Sequence, residues 1–129
     1  MLEYNVSLEG KTVLVTGSAG FIGSSLAKRL LEEIKDIKVI GIDNMNDYYD
    51  VRIKEARLKE LQAFPNYVFV QGNLADKNLV FDLFETYHPE IVVNLAAQAG
   101  VRYSIVNPDA YVESNLLGFF HILEACRHY

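Results

Sequence analysis

A glycine triplet wedged between two apolar runs constrains this chain more than any other feature. In "KTVLVTGSAGFIGSSLAKRLLEEI" a short β-branched run stops at Gly17, and apolar residues then return at helical spacing through Phe21, Ile22, Leu26, Leu30, Leu31 and Ile34. Gly17, Gly20 and Gly23 occupy the junction between expected strand and expected helix. Each answers a separate demand of that junction. Gly17 permits a tight turn with positive φ, Gly20 opens the backbone to close approach by a diphosphate, and Gly23 lets the helix pack closely on the strand. The helix start then offers unpaired N–H groups, and the positive end of its dipole, to an anion. The plainer alternative is a strand–helix turn that needs glycine for packing alone.

The rest of the chain repeats the alternation. "IKVIGID" reads as a second strand ending in Asp43, and "VRIKEARLKELQAF" as a second helix through Ile53, Ala56, Leu58 and Leu61. "NYVFVQG" is a third strand, "KNLVFDLFETY" a third helix, and "EIVVNLA" a fourth strand, apolar and β-branched as an interior parallel strand should be. A last helix is expected from Pro108 to about His128, with Asn107 as its cap. It carries Tyr111, Val112, Leu116, Phe119, Phe120 and Leu123 on one side, with Tyr111 read as core. Strand and helix thus alternate four times, the signature of right-handed βαβ units. The expected fold class is α/β: a doubly wound parallel sheet in strand order 3-2-1-4, with helices on both faces. "NMNDYYDV" is the one long irregular connection.

Composition limits the partners. The 129 residues suffice for one domain with a real core, and a chain that is 50% hydrophobic and 22% charged is not disordered. A net charge of −5 gives no footprint for nucleic acid or an acidic membrane surface, so a bound anion must be held by local geometry. No apolar run approaches the roughly 20 residues that span a bilayer, and no segment reads as a signal peptide. Cys126 is the only cysteine, which excludes an internal disulfide and fits a reducing, cytoplasmic setting. Three scattered histidines and one cysteine make no metal-ligand cluster, so no metal is expected.

Two further stretches bear on the ligand. Asp43 lies 20 positions after Gly23, close to the distance expected of a carboxylate that hydrogen-bonds an adenosine ribose. Such a carboxylate repels a ribose phosphate, which favours NAD over NADP; the plainer alternative makes Asp43 a solvated loop end. "NLAAQAGVRYS" continues the fourth strand into side chains too small to fill a core.

With "TGSAGFIG", "GIDNMNDYYD", "GNLAD" and "NLAAQAGVRYS" in this order, the chain resembles the extended short-chain dehydrogenase/reductases. Within them it looks most like the NAD-dependent nucleotide-sugar epimerases of the UDP-glucuronate 4-epimerase type. "DNMNDYYDVRIKEARL" and "AAQAGVRYS", followed by "YVESNLLGF", carry that closer likeness. The resemblance spans Lys11 to His128 and implies a Rossmann domain with NAD as cofactor. It implies that Phe21 and Ile22 present backbone N–H groups to the pyrophosphate, and that Asp43 and Asn44 hold the adenosine ribose. Asn73 and Leu74 would lie beside the adenine, where the family usually has Asp followed by an aliphatic residue; alternatively Asn73 only closes a turn after Gly72. Leu95, Ala96, Ala97 and Gln98 would line the cofactor's path, their small size admitting the dinucleotide. Gly100, Val101 and Arg102 would face the sugar nucleotide, with Arg102 gripping a carboxylate or phosphate or else pairing with a surface neighbour. Asn115 matches a family asparagine near the active site, and could instead bond across to the strand-four loop.

The same resemblance raises a demand that these residues do not meet. In the family a tyrosine base takes a proton from a sugar hydroxyl, and a lysine four residues later lowers the tyrosine pKa. The sugar is oxidised at carbon 4 to a keto intermediate, and hydride then returns to the opposite face. No lysine here has a tyrosine four positions before it. Residues 1–129 are therefore expected to form the N-terminal part of an NAD-binding Rossmann domain, truncated to about four strands and inactive alone. The catalytic Tyr/Lys segment and the substrate domain would be absent. A bare strand-four edge and the Leu116, Phe119, Phe120 and Leu123 side of the last helix would favour a homo-oligomer. A related dehydratase or reductase fragment, and a naturally short NAD-binding module without catalysis, remain alternatives.

Overall fold

The computed structural model describes residues 5–129. Four parallel strands, β1 (Thr12–Thr16), β2 (Lys38–Asp43), β3 (Tyr67–Gln71) and β4 (Ile91–Asn94), form one sheet in the order β3-β2-β1-β4. Between them run α1 (Phe21–Glu33), α2 (Val51–Gln62) and α3 (Lys77–Tyr87). The expected doubly wound α/β sheet is the one observed. Its centre is β1, which pairs Val15 with Gly41 on one side and with Val93 on the other.

Side-chain alternation along β1 divides the core in two. Val13 and Val15 face α1 and α2, packing with Ala27, Leu30, Leu31 and Leu61. Leu14, between them, faces the other way, into Val80, Leu83 and Phe84 of α3 and Ile122 beyond. A period of two in the strand thus feeds two helical layers. Helix ends follow local chemistry. Asp50 and Asp76 cap α2 and α3 by accepting from the Arg52 and Leu79 amides, and α3 stops where His88 adopts a left-handed φ of 49°.

The C-terminal third differs from the sequence expectation in three ways. A short helix, α4 (Val101–Val106), forms between β4 and Pro108, where the sequence pattern predicts no element. The long last helix is broken into α5 (Pro108–Tyr111), a π-helical stretch (Val112–Leu117) and α6 (Gly118–His128). Asn107 caps it as expected, accepting from the Ala110 amide. The core-facing side of α6 is Gly118, His121, Ile122 and Ala125, and Leu116, Phe119, Phe120 and Leu123 are exposed, in keeping with the expected bare apolar side. Tyr111 is not core. It is half-buried, and its hydroxyl donates to the carbonyls of Ala99 and Gly100. β4 is hydrogen-bonded to β1 alone, leaving its outer edge without a strand among the described residues.

Candidate functional site

Where β1, β2 and β4 end, the sheet opens into a cleft of about 630 Å³, within the range of small-molecule sites. One end is built from backbone. Gly17 holds a φ of +67°, and a Cβ there would stand 3.1 Å from the backbone of Leu95 and Ala96. A Cβ on Gly23 would lie 2.1 Å from the Gly17 carbonyl oxygen, so the first turn of α1 rests directly on the β1–α1 turn. Gly20 is the extended N-cap residue of α1, and no side chain caps the helix. Its carbonyl accepts the first intrahelical bond, from Ser24 N–H at 2.9 Å, which leaves the Phe21, Ile22 and Gly23 amides ahead of the helical ladder. An anion fits that helix start. No acidic side chain in the first turn opposes it.

The other end is built from side chains. Asp43, the last residue of β2, is buried, and its Oδ2 accepts from Ala19 N–H at 3.1 Å while Oδ1 accepts from Met45 N–H at 2.8 Å. Lys54 of α2, equally buried, donates to the same Oδ1 at 3.1 Å and to Asn46 Oδ1 at 3.2 Å. Asp43 is therefore not a solvated loop end, and its charge is balanced inside the fold. Beside it, the Arg57 guanidinium donates to Ala19 C=O and Tyr49 Oη, and lies 5.8 Å from the Phe21 ring centre.

The wall between these ends comes from β4. The buried Thr16 hydroxyl accepts from both Leu95 and Ala96 amides, at 2.9 and 3.0 Å, turning the chain out of the strand. Small residues here serve two ends at once: Ala96 abuts Gly17, and the cleft runs alongside Leu95, Ala96 and Ala97. Gln98 is held by Asn115, which accepts from its amide at 2.9 Å and donates to its carbonyl at 3.1 Å. Asn115 thus bonds across to the strand-four loop from the π-helical stretch, a backbone form that recurs at functional sites.

The cleft lining includes the three glycines, Phe21 and Ile22, Asp43 and Asn44, Asn73 and Leu74, and the run from Leu95 to Gln98. Asn73 lines it while also closing a turn, its Oδ1 accepting from Ala75 N–H at 2.9 Å. Asn115 stands behind the lining, next to Ser114, which reaches it. Gly100, Val101 and Arg102 fall outside, at the start of the exposed helix α4. Among the described residues no group of His, Cys, Asp or Glu could hold a metal, and no helix is long and apolar enough to cross a membrane. Sequence reasoning missed Lys54, Arg57 and Tyr49, all of which line the cleft. A signal existed for the first: Lys54 sits one and two turns before Leu58 and Leu61, on the face of α2 that turns inward.

Comparison with known proteins points the same way. The chain is 50% identical over 117 residues to the CapI protein of Staphylococcus aureus, covering 91% of this chain and 34% of that one. A probable UDP-glucuronate 4-epimerase of Rhizobium meliloti is 46% identical over 114 residues, covering 88% of this chain and 33% of that one. The chain thus spans about a third of the length of the curated relatives it matches. The crystal structure of UDP-glucuronic acid 4-epimerase from Bacillus cereus, in complex with UDP-glucuronic acid and NAD, superposes with a TM-score of 0.82 at 31% identity. The match covers 92% of this chain and 37% of that one. The family model described as GDP-mannose 4,6 dehydratase matches residues 14–129. That match starts inside β1 and runs through every element that builds the cleft: the chain belongs to the GDP-mannose 4,6 dehydratase family.

Proposed function

We propose that this chain is the NAD-binding front part of a nucleotide-sugar 4-epimerase acting on UDP-glucuronate. The observation that carries the reading is the pairing of two unlike ends in one cleft. Uncommitted amides of Phe21, Ile22 and Gly23 suit a diphosphate, and the Asp43 carboxylate suits a ribose hydroxyl. The residues fit the cofactor by their own chemistry, since a Cβ at Gly20 would crowd the Gly17 carbonyl and narrow the mouth of the turn. Leu95, Ala96 and Ala97 would lead from the phosphates toward the reacting end, excluding water along one side. Bound NAD would supply reversible hydride transfer at carbon 4 of the sugar. The sugar itself rests on the likeness to UDP-glucuronate 4-epimerases. The family description favours, as a second reading, a sugar-nucleotide dehydratase built on the same front part.

These 129 residues hold no Tyr-x-x-x-Lys pair, so the proposal gives them binding and orientation and leaves proton transfer to residues outside this sequence. Epimerisation of UDP-glucuronate by the purified chain would overturn that division of labour. The exposed Leu116, Phe119, Phe120 and Leu123, together with the open edge of β4, support self-association, which light scattering reads directly. Calorimetric titration with NAD tests the cleft. Saturable binding that weakens about tenfold or more in Asp43→Asn is expected. Unchanged affinity in that variant would remove Asp43 from the site.

A further inference from the structure

Two loops that wall the cleft grow from opposite edges of the sheet. Gly72, Asn73 and Leu74 follow β3, the run from Leu95 follows β4, and β2 and β1 stand between. Strand pairing alone therefore does not set their separation. One helical stripe touches both. Asn115, Gly118 and His121 recur every three residues and so share a face. Asn115 holds the Gln98 backbone at 2.9 and 3.1 Å. His121 is buried, and its Nδ1 bonds to Leu74 C=O at 2.6 Å. A carbonyl oxygen only accepts, so Nδ1 carries the hydrogen. Between these two contacts Gly118 lets the helix close on the turn, since a Cβ there would stand 3.0 Å from Leu74 Cβ. The turn is tied further by Gly72 N–H to Asp43 C=O at 3.1 Å and by Asp76 N–H to Asn73 C=O at 3.0 Å. Among the described residues Leu74 N–H meets no backbone acceptor.

We infer that His121, with Gly118 beside it, is a positioning residue for the ligand: it seats the β3–α3 turn so that Leu74 N–H and Asn73 Oδ1 meet the edge of a purine. The inference rests on the proposed function, which brings the base of the dinucleotide to this turn. The imidazole touches no ligand and acts through the Leu74 carbonyl. Its hydrogen bond fixes the peptide plane after Leu74, and the Asp76 amide fixes the plane before it. Stripped of its donor, a carbonyl on a buried residue rotates to find another, and the neighbouring Leu74 N–H turns with it. Asn73 Oδ1 accepts from Ala75 N–H at 2.9 Å, and a carbonyl oxygen has room for a second donor. Adenine sets an amino donor beside a ring-nitrogen acceptor, which matches this pair. Hypoxanthine presents the reverse.

The test titrates wild type, His121→Asn and His121→Leu with NAD and with nicotinamide hypoxanthine dinucleotide, in which a carbonyl replaces the adenine amino group. Wild type is expected to prefer NAD about tenfold, and His121→Leu to lose that preference to within about twofold. His121→Asn places an amide N–H at the same bond distance from Cβ as Nδ1 and should keep it. A preference retained in His121→Leu overturns the inference, even where both affinities fall, since a general loosening of the fold weakens both dinucleotides alike. A preference lost in His121→Asn overturns it too, because the donated hydrogen is then not what matters. Should His121→Leu not fold by circular dichroism, Gly118→Ala decides. It keeps the imidazole, presses a methyl onto Leu74 and should cost the same preference; an unchanged preference overturns the seating of the turn. Wild type that binds both dinucleotides equally sinks this inference alone. A folded wild-type chain that binds neither overturns the proposed function instead.

Discussion

The two ends of the cleft are made from different material. At the β1–α1 turn the chain offers amides, and the side chains around them are either absent, as at Gly17, Gly20 and Gly23, or turned to solvent, as at Phe21 and Ile22. At the β2–α2 end the working groups are buried side chains, Asp43 and Lys54, fastened to each other and to Ala19, Met45 and Asn46. Backbone geometry is encoded within a few residues and is insensitive to what the neighbours' side chains are. A buried ion pair needs two elements to dock correctly, and it fails if either partner is lost. The first end is local and tolerant of side-chain change, the second distributed and brittle.

That contrast predicts unequal damage. The largest effect should come from Asp43→Ala, which strands Lys54 as a buried, unmatched charge and leaves the Ala19 and Met45 amides without their acceptor. A loss of about 3–5 kcal/mol of folding stability is expected in denaturant titration; a loss under about 1 kcal/mol would show that the pair is not structurally coupled. At the backbone end, only glycine changes should approach that size. Gly23→Ala places a methyl 2.1 Å from a carbonyl oxygen that cannot easily move, for about 3 kcal/mol at the upper end of overpacking costs. If Gly23→Ala melts like wild type, helix α1 is not seated on the turn as described.

Between the two ends lies a smaller link. Tyr67 of β3 donates its hydroxyl to Ser18 Oγ at 3.3 Å beneath the β1–α1 turn, and burial pushes its pKa above the ordinary tyrosine range. For an acid whose folded pKa is raised, the stabilising contribution is complete below the unfolded pKa and disappears as pH climbs through the folded one. Tyr67→Phe should cost about 1 kcal/mol at neutral pH through the lost hydrogen bond. It should also flatten the fall in stability above about pH 10. An alkaline profile identical in both proteins would place the ionising group elsewhere.

How well each part could be read from the sequence follows the same division. The glycine turn and the strand order were legible because a strand, three glycines and an amphipathic helix are consecutive. Asp43 was legible by its distance from Gly23. Lys54 was only half legible: its spacing to Leu58 and Leu61 marks the inward face, but its partner lies 11 positions back on another element, and a lysine among Arg52, Glu55 and Arg57 looks solvated. Helix α4 escaped because Val101, Ile105 and Val106 are all exposed, so no buried stripe marks its period. The last helix was legible in its place and in its exposed apolar side, whereas Tyr111, read as core, instead bonds to the loop after β4. The helix's docking side, Gly118, His121, Ile122 and Ala125, carries only one large aliphatic side chain, so no apolar stripe marks it. The π-helical stretch has no signature in side-chain spacing, and the Asn115–Gln98 bonds made from it join residues 17 positions apart.

The sharpest way to separate backbone from side chain at the phosphate end is also the gentlest to the fold. Phe21 is the first residue of α1, where proline is favoured, and the preceding Gly20 is already extended at φ −72° and ψ 172°, the conformation a following proline demands. Phe21→Pro should therefore leave stability within about 0.5 kcal/mol of Phe21→Ala, the control for losing the ring that faces Arg57. What it removes is a single N–H. If that amide helps hold a diphosphate, NAD should bind about tenfold more weakly to Phe21→Pro than to Phe21→Ala. Equal affinities would mean that the Phe21 amide takes no part, and that the phosphates, if they bind here, are held by the remaining amides of the turn. A difference confined to affinity, with melting curves superimposed, would show the backbone acting as a ligand in its own right.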